Sequence, residues 1–430
     1  MEASERAAQA ARTSYGRLLA LLAARTRDIA AAEDALADAF ERALLRWPLD
    51  GVPTNPDGWL LTVARNRLKD HWKSAAQRLA SDADPDEFDE PATALDPDAI
   101  EDRRLELLLV CAHPAIDRGI HTALMLNTVL GCTAEQIGAA MAVPTSTLAS
   151  RLVRAKRRIK QTGIRFRIPD RSVLPARIDA VLSAVYGAYA IDWSSGPEER
   201  SGLEVEARQL AEITAELTGD PEAYGLAALI CFSRARWPAR RDRSGRMVPL
   251  AEQDSRRWDR DLIVHGRELL ATASRAGQLG PHQVEAAIQA LHCARLDDPG
   301  HRVDPTLLVR LHRTRHELSP DLGSAVALAA AVEHSDGAEQ ALVELDALLA
   351  GLVAAGIVDR AQVRRFQPGW ATRAHLLHRL DRTEEAVEAL DTAIGMTHAA
   401  ADRDHLHGLR SQWTDEAVYD DARHPARPKE

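Results

Sequence analysis

The sequence has few aromatic residues and few cysteines. Phe, Trp and Tyr together account for 4% of its 430 residues, and its four cysteines lie far apart without CxxC or Cys/His spacing. Such scatter argues against a disulfide framework and against a zinc site, so we expect neither a metal nor another cofactor. The cysteines, which we expect to be buried and reduced, are Cys111, Cys132, Cys231 and Cys293.

Long apolar runs and strand-like patterns are also scarce. No apolar stretch reaches the ~20 residues that a membrane-spanning helix needs, and the first residues lack the apolar core typical of a signal peptide. We therefore expect a cytoplasmic protein without membrane contact. Ala and Leu dominate, and β-branched residues rarely alternate with polar ones, so the sequence predicts an all-α fold. A chain of 430 residues is long enough for several domains.

Common catalytic signatures are missing as well. The sequence contains no Walker A loop, GxSxG elbow or HExxH motif. His375 and His378 are three residues apart on one predicted helical face, but an isolated pair of this kind is usually structural. We therefore predict that the protein is not an enzyme.

The segment 133–160 has the pattern of a helix-turn-helix. Thr133 and Gln136 have capping-box spacing, which predicts the start of a short helix. Pro144 ends that helix, because proline removes a backbone donor and disfavours helix at the residue before it. The apolar stripe predicted for this first helix comprises Ile137, Ala140 and Met141.

A second, basic helix follows directly. Apolar residues recur at helical spacing and predict its inner face, formed by Leu148, Leu152, Ala155 and Ile159. No Asp or Glu occurs from Gln136 to Pro169, although the whole chain has a formal net charge of -10. A helix whose charged residues are all basic, and which follows a tight turn, is typical of DNA-binding proteins. An ordinary helical hairpin with a basic, solvated face is the alternative. The outward residues that we predict to contact DNA are Thr145, Ser146, Ser150, Arg151, Arg154, Arg157 and Arg158.

Two further helices are predicted near the N-terminus. The first, 28–47, is amphipathic and carries an acidic face with Glu33, Asp34, Asp38 and Glu41. A loop rich in Pro and Gly ends it, and the second helix begins near Trp59 with basic and aromatic residues interleaved. Its predicted apolar side comprises Leu60, Leu61, Val63, Ala64, Leu68 and Trp72.

The rest of the chain divides by composition. Residues 79–102 contain no Lys or Arg but many Asp and Glu, which is typical of an extended acidic linker, with or without a specific role. After Pro169 a long helical region extends to about Trp413. Within it, 374–394 is similar to a tetratricopeptide unit, with small residues at close-packing positions, although a generic helical bundle is the alternative. We expect this region to contact a protein partner or another part of the chain.

These modules and their order resemble extracytoplasmic-function (ECF) sigma factors of the σ70 family. AAEDALADAFERAL (31–44) resembles region 2.2, GWLLTVARNRLKD (58–70) resembles regions 2.3 and 2.4, and GCTAEQIGAAMAVPTSTLASRLVRAKRRI (131–159) resembles region 4.2. The motif CAHPAID (111–117) and the C-terminal extension are similar to the ECF42 subgroup. The resemblance implies a region 2 domain at 1–80, an acidic linker at 81–103, a region 4 domain at 104–165 and a tetratricopeptide-like extension at 170–430.

The resemblance also implies partners and roles. Core RNA polymerase would be bound through the β′ clamp helices, by Glu33, Asp34, Asp38 and Glu41, and through the β flap. The basic helix at 145–160 would read the −35 element of promoter DNA. The residues implied to bind and melt the −10 element are Asn55, Asp57, Trp59, Arg65, Asn66, Lys69 and Lys73. Trp59 is more often a core residue than a base-stacking platform at this spacing.

One alternative function stays open from the sequence. A stand-alone helix-turn-helix regulator, whose tetratricopeptide-like tail binds a partner, would share the same motifs. It differs in needing palindromic sites and a dimer interface.

Overall fold

A computed structural model shows helices joined by loops. It describes residues 6–7, 10, 13–79, 101–141, 143–170, 172–194, 202–243, 245, 247–298, 300–397 and 400–423. Most of the predicted acidic linker lies outside these residues, as does the side chain of Lys73. In the described part of the chain no strand occurs, so the prediction of an all-α fold is confirmed. None of the described helices is both long and apolar enough to span a membrane.

The described residues fall into two compact units. Unit 1 extends to Ser194 and includes a further segment up to Thr214, and unit 2 comprises the chain from Ala215 onward. The helices of unit 1 are α1 (Tyr15–Thr26), α2 (Ile29–Asp50), α3 (Pro56–Leu79), α4 (Arg104–Cys111), α5 (His121–Thr128), α6 (Ala134–Met141), α7 (Thr145–Thr162), α8 (Leu174–Ser194) and α9 (Leu203–Thr218), the last of which continues past the division.

The first three helices of unit 1 pack on one another. Asp28 caps α2 by accepting a hydrogen bond from the backbone N–H of Ala31 at 3.2 Å. The predicted apolar stripe of α2 is confirmed, because Ile29, Leu36 and Trp47 are buried. Helix α2 ends at Gly51, whose φ of +85° is a conformation that favours glycine.

Helices α4 and α5 are buried on nearly all sides. Helix α4 packs against α1 and α5, and α8 covers both α4 and α5. Arg104, at the start of α4, is buried and forms ion pairs with Asp102 at 2.6 Å and with Glu206 of α9. Burial alone would raise the pKa of Asp102, but the hydrogen bonds and charge of Arg104 outweigh burial and lower it. Helices α8 and α9 therefore complete the packing of unit 1, although the sequence predicts a C-terminal extension that starts at residue 170.

Unit 2 is built from consecutive helices that pack on their neighbours along the chain. Its core includes Leu345, Ala374, Leu390 and Trp413, and the ring of His378 stacks on Trp413 at 4.3 Å. The helices are α10 (Pro221–Ala235), α11 (Arg260–Arg275), α12 (Pro281–Cys293), α13 (Pro305–Leu318), α14 (Leu322–Asp336), α15 (Ala338–Ala354), α16 (Arg360–Arg364), α17 (Gln367–Arg379), α18 (Thr383–Met396) and α19 (Ala400–Arg423).

Candidate nucleic-acid and polymerase interface

A tight turn joins helices α6 and α7. The predicted capping box is present at the start of α6, where the Gln136 N–H donates to the Thr133 hydroxyl at 3.2 Å and the Thr133 N–H donates to the Gln136 side chain at 2.9 Å. The turn closes with a hydrogen bond from the Val143 N–H to the Gly138 carbonyl at 2.9 Å. A Cβ at Gly138 would lie 2.8 Å from the carbonyl oxygen of Val143, so the turn requires glycine there. The sequence pattern did not reveal this requirement, because it depends on the folded turn.

The two helices differ in how well the sequence predicted their faces. On α7 the inner residues Leu148, Leu152, Ala155 and Ile159 are all buried, as predicted. On α6 the predicted stripe is wrong in part, since Ile137 is buried but Ala140 is exposed and Met141 is 40% exposed. Helix α6 spans only about two turns, and its buried residues are the neighbours Ile137 and Gly138.

The outer face of α7 is polar and basic. Arg151 is half-buried because it forms an ion pair with Asp117 at 3.3 Å, whereas the other predicted DNA contacts are exposed. The side chains of Arg151, Arg154 and Arg158 line an open groove of about 230 Å³, whose floor includes Ile120. The exposed residues of the predicted set are Thr145, Ser146, Ser150, Arg154, Arg157 and Arg158. This face has the charge and the reach for phosphate contact, and its DNA role stays a prediction.

Helix α3 presents a second basic surface. Asn66 and Lys69 are exposed and Arg65 is half-buried. Trp72, which was predicted on the apolar side, is instead 38% exposed. The same helix therefore carries both a partly exposed aromatic ring and exposed basic residues. Of the other residues predicted on the apolar side, Leu60, Leu61, Ala64 and Leu68 are buried and Val63 is half-buried.

Three of the residues implied to bind and melt the −10 element are engaged within the protein. Asn55 accepts a hydrogen bond from the Gly58 N–H at 2.9 Å and so caps α3, and Asp57 accepts one from the Ser14 hydroxyl at 2.9 Å. Trp59 is half-buried and packs edge-to-face on Trp47, with ring centroids 5.6 Å apart. These contacts give each of the three a structural role, and base binding at these positions stays a prediction.

The acidic residues of α2 have different surroundings. Asp34 and Glu41 are exposed, whereas Asp38 forms an ion pair with Arg67 of α3. Glu33 is held by Lys156 of α7, whose ammonium donates to both carboxylate oxygens at 2.6 and 2.7 Å. Burial raises the pKa of Glu33, and the charge of Lys156 opposes that effect.

Comparison with known families identifies the N-terminal segment. Residues 11–78, which contain α1, α2 and all but the last residue of α3, match the sigma-70 region 2 family. The N-terminal segment is a sigma-70 region 2 domain. The region 2 match supports an RNA polymerase-binding role of the sigma-factor type and fits a non-enzymatic protein.

The C-terminal part of the chain is similar to other proteins. Residues 177–274 match a family of unknown function, DUF6596, which begins within α8. The chain is 33% identical over 391 residues to an uncharacterized protein of Rhizobium meliloti (strain 1021), a match that covers 88% of this chain and 89% of the relative. The two proteins therefore belong to one family along most of their length. No solved structure matches the chain significantly.

Proposed function

We propose that this protein is an ECF-type sigma factor that binds core RNA polymerase and directs promoter-specific initiation of transcription. The observation that supports the proposal most is a second outward basic helix, α7, in the same compact unit as the sigma-70 region 2 domain. In the proposal α7 enters the major groove of the −35 element as the second helix of a helix-turn-helix. Helix α3 contacts the −10 element and helps to melt it.

The contacts with DNA divide by chemistry. Arg151 and Arg154, near the middle of α7, reach base edges and phosphates, whereas Arg157 and Arg158 contact phosphates only. On α3 the exposed Asn66, Lys69 and Trp72 face the melted strand, where aromatic stacking and positive charge hold unpaired bases.

The contacts with polymerase divide between exposed and paired acids. Asp34 and Glu41 are exposed on α2 and are free to meet a basic surface of the β′ clamp helices without a change in the protein. Glu33 and Asp38 reach the same partner only after exchanging their present ion-pair partners. The region that contains α4–α7 contacts the β flap of the polymerase.

The proposed role of unit 2 is protein contact. Its consecutive helical hairpins, and the burial of the small residues Ala386, Ala389 and Ala393, support a tetratricopeptide-like arrangement. In the proposal this unit regulates the sigma modules or binds a protein partner.

Runoff transcription tests the main proposal. Purified core polymerase is assayed with and without the protein on the DNA upstream of its own gene, and protein-dependent initiation at a discrete site is the expected result. The double variant Arg157→Ala/Arg158→Ala should initiate less, whereas the control Arg275→Ala, an exposed residue at the end of α11, should not change initiation. Absence of initiation, together with binding to a palindrome without polymerase, would instead support the stand-alone regulator.

A truncation tests the role of unit 2. The cut is placed after Thr218, so that α8 and α9 remain and α4 and α5 stay covered. Lower initiation would mean that unit 2 activates, and higher initiation that it inhibits. Unchanged initiation would refute a regulatory role for unit 2 under these conditions.

A further inference from the structure

The motif CAHPAID (111–117) forms a turn that is held by several contacts. The Ile116 N–H donates to the His113 carbonyl at 2.9 Å, and the Ala115 N–H donates to Nδ1 of the same histidine at 3.1 Å. Nε2 of His121 lies 3.0 Å from the Ile116 carbonyl oxygen, and the side chain of Ile116 is buried. The last residue of the motif is therefore carried on a well-supported backbone.

That last residue, Asp117, connects the turn to the outer face of α7. One of its carboxylate oxygens accepts a hydrogen bond from the Gly119 N–H at 3.1 Å, and the other accepts one from Nη2 of Arg151 at 3.3 Å. A Cβ at Gly119 would lie 3.0 Å from the same Nη2 atom, so glycine at this position leaves space for the guanidinium. The carboxylate and the glycine together define where the guanidinium of Arg151 lies.

This ion pair affects orientation more than stability. The side chain of Asp117 is 73% exposed and that of Arg151 is 30% exposed, and ion pairs this exposed contribute little to folding. Arg154 lines the same groove, is exposed, and donates to the Ser150 carbonyl of its own helix at 3.4 Å. Arg151 is thus tied to a point outside α7, whereas this contact of Arg154 is with α7 itself.

The orientation of an arginine decides what it can read on DNA. An arginine recognises guanine by donating two hydrogen bonds, to O6 and N7, which requires its planar guanidinium to face the base edge. Contacts with phosphate carry no sequence information. Holding the guanidinium in place before binding lowers the entropy lost on binding. A carboxylate beside it repels the phosphate backbone, and only a matching base compensates for that repulsion.

We infer that Asp117 is a positioning residue, which holds Arg151 toward a base edge of the −35 element and so sets the base preference at one position of that element. The inference rests on the proposed sigma function and deepens it. It also gives the motif at 111–117 a role, because the motif carries the carboxylate that orients an arginine of α7. Without that carboxylate, Arg151 would contact phosphates, as proposed for Arg157 and Arg158.

Two variants release Arg151 in different ways. Asp117→Asn removes the charge but keeps a side chain that can accept a hydrogen bond from the Gly119 N–H, so the turn should stay folded. Gly119→Ala keeps the charge and places a methyl group against the guanidinium. The matched control is Asp50→Asn, which removes the same charge from an exposed ion pair on α2. Circular dichroism checks that each variant is folded.

Selection from a promoter library tests the role in base reading. The full-length protein and core polymerase are mixed with promoters randomised in the −35 element, and the bound DNA is sequenced. The unmodified sequence and Asp50→Asn should prefer guanine at one position by about 5- to 150-fold, the range for one bidentate arginine. Arg151→Ala, Asp117→Asn and Gly119→Ala should each lose most of that preference and keep the preferences at other positions. Asp117→Asn/Arg151→Ala should lose no more than Arg151→Ala, because the two residues act together.

Non-specific binding separates positioning from support of the fold. The anisotropy of a labelled duplex of unrelated sequence measures the affinity of the full-length protein at several salt concentrations. Asp117→Asn should bind several-fold more tightly than the unmodified sequence, and its slope of log affinity against log salt should be steeper by about 1, because Arg151 becomes available to phosphate. Gly119→Ala should gain less, since it keeps the carboxylate. A variant that only damaged the fold would bind every DNA more weakly.

The outcomes separate the positioning role from the sigma function. If Asp117→Asn keeps the guanine preference that Arg151→Ala loses, the inference is wrong, and it is also wrong if Arg151→Ala keeps every preference. If no form binds core polymerase, the proposed function fails, and the selection is made with the protein alone. A preference that Arg151→Ala and Asp117→Asn both lose in that format would still support the positioning role. Absence of sequence-selective DNA binding in both formats would refute both proposals.

Discussion

Helices α5 and α7 belong to the same compact unit but meet their surroundings in opposite ways. Helix α5 is buried on almost every side, including the consecutive residues Leu124, Met125 and Leu126, because α4, α6 and α8 pack around it. Helix α7 buries one stripe and exposes a basic face. The difference shows which helix is available for a partner. The basic face of α7 is open to solvent and is the face that we propose for DNA, whereas α5 is enclosed by α4, α6, α7 and α8.

Removal of the cover over α4 and α5 should have the largest effect. A truncation after Gly163 deletes α8 and α9 and exposes the apolar residues of α4, so we expect the fragment to unfold or aggregate. A truncation after Thr218 is the control and should keep a cooperative thermal transition. A stable, monomeric fragment 1–163 in the same calorimetric and light-scattering measurements would contradict the argument. The affected α4 residues are Leu105, Leu107, Leu108, Leu109 and Val110.

Alanine substitutions sharpen the comparison between the two helices. Leu124→Ala and Met125→Ala on α5 should each lower the free energy of unfolding by about 2–5 kcal/mol, since both side chains are fully buried. On α7 the neighbours Leu152 and Val153 should differ, with Leu152→Ala costing about 2–5 kcal/mol and Val153→Ala less than about 0.5 kcal/mol. Urea denaturation measures these values. Equal effects at Leu152 and Val153 would mean that α7 is packed on both faces.

The buried ion pair of α4 should matter less than its apolar core. Glu206→Gln leaves Arg104 buried with Asp102 as its remaining anion. We therefore expect the free energy of unfolding, measured by urea denaturation, to fall by about 3 kcal/mol, which is toward the lower end of the cost of breaking a buried ion pair. Asp50→Asn, which breaks the exposed pair with Arg46, is the matched control and should cost less than about 0.5 kcal/mol. A result for Glu206→Gln no larger than that of the control would show that water reaches Arg104.

Loss of one exposed charge on α7 should have the smallest effect on folding and should instead alter DNA binding. Arg154→Ala should leave the free energy of unfolding within about 0.5 kcal/mol of its original value. With core polymerase bound, it should weaken promoter affinity by about 1–3 kcal/mol if Arg154 contacts a base. If it contacts only phosphate, the slope of log affinity against log salt should fall by about 1. Unchanged affinity and slope would exclude Arg154 from the DNA interface.

The sequence predicted helices best where one face meets solvent. The stripe of α2, the inner face of α7 and the capping box at Thr133 all agree with the structure, because amphipathic periodicity and capping depend on residues close together in the chain. The prediction failed at Trp72 of α3 and at Ala140 and Met141 in the last turn of α6, because periodicity within one helix does not show whether another element covers that side. It did not predict that α8 and α9 belong with the first helices, since their packing partners lie far away in sequence.

The sequence by itself therefore determined the all-α class, the basic outer face of α7, and the N-terminal segment that matches sigma-70 region 2. In the sequence, Lys156 looks like one more basic residue of α7. Only the tertiary structure determines that it forms an ion pair with Glu33 of the region 2 domain. Helical periodicity assigns a side chain to a face of its own helix. Which other helix covers that face depends on long-range packing of apolar surfaces and on ion pairs between residues more than a hundred positions apart.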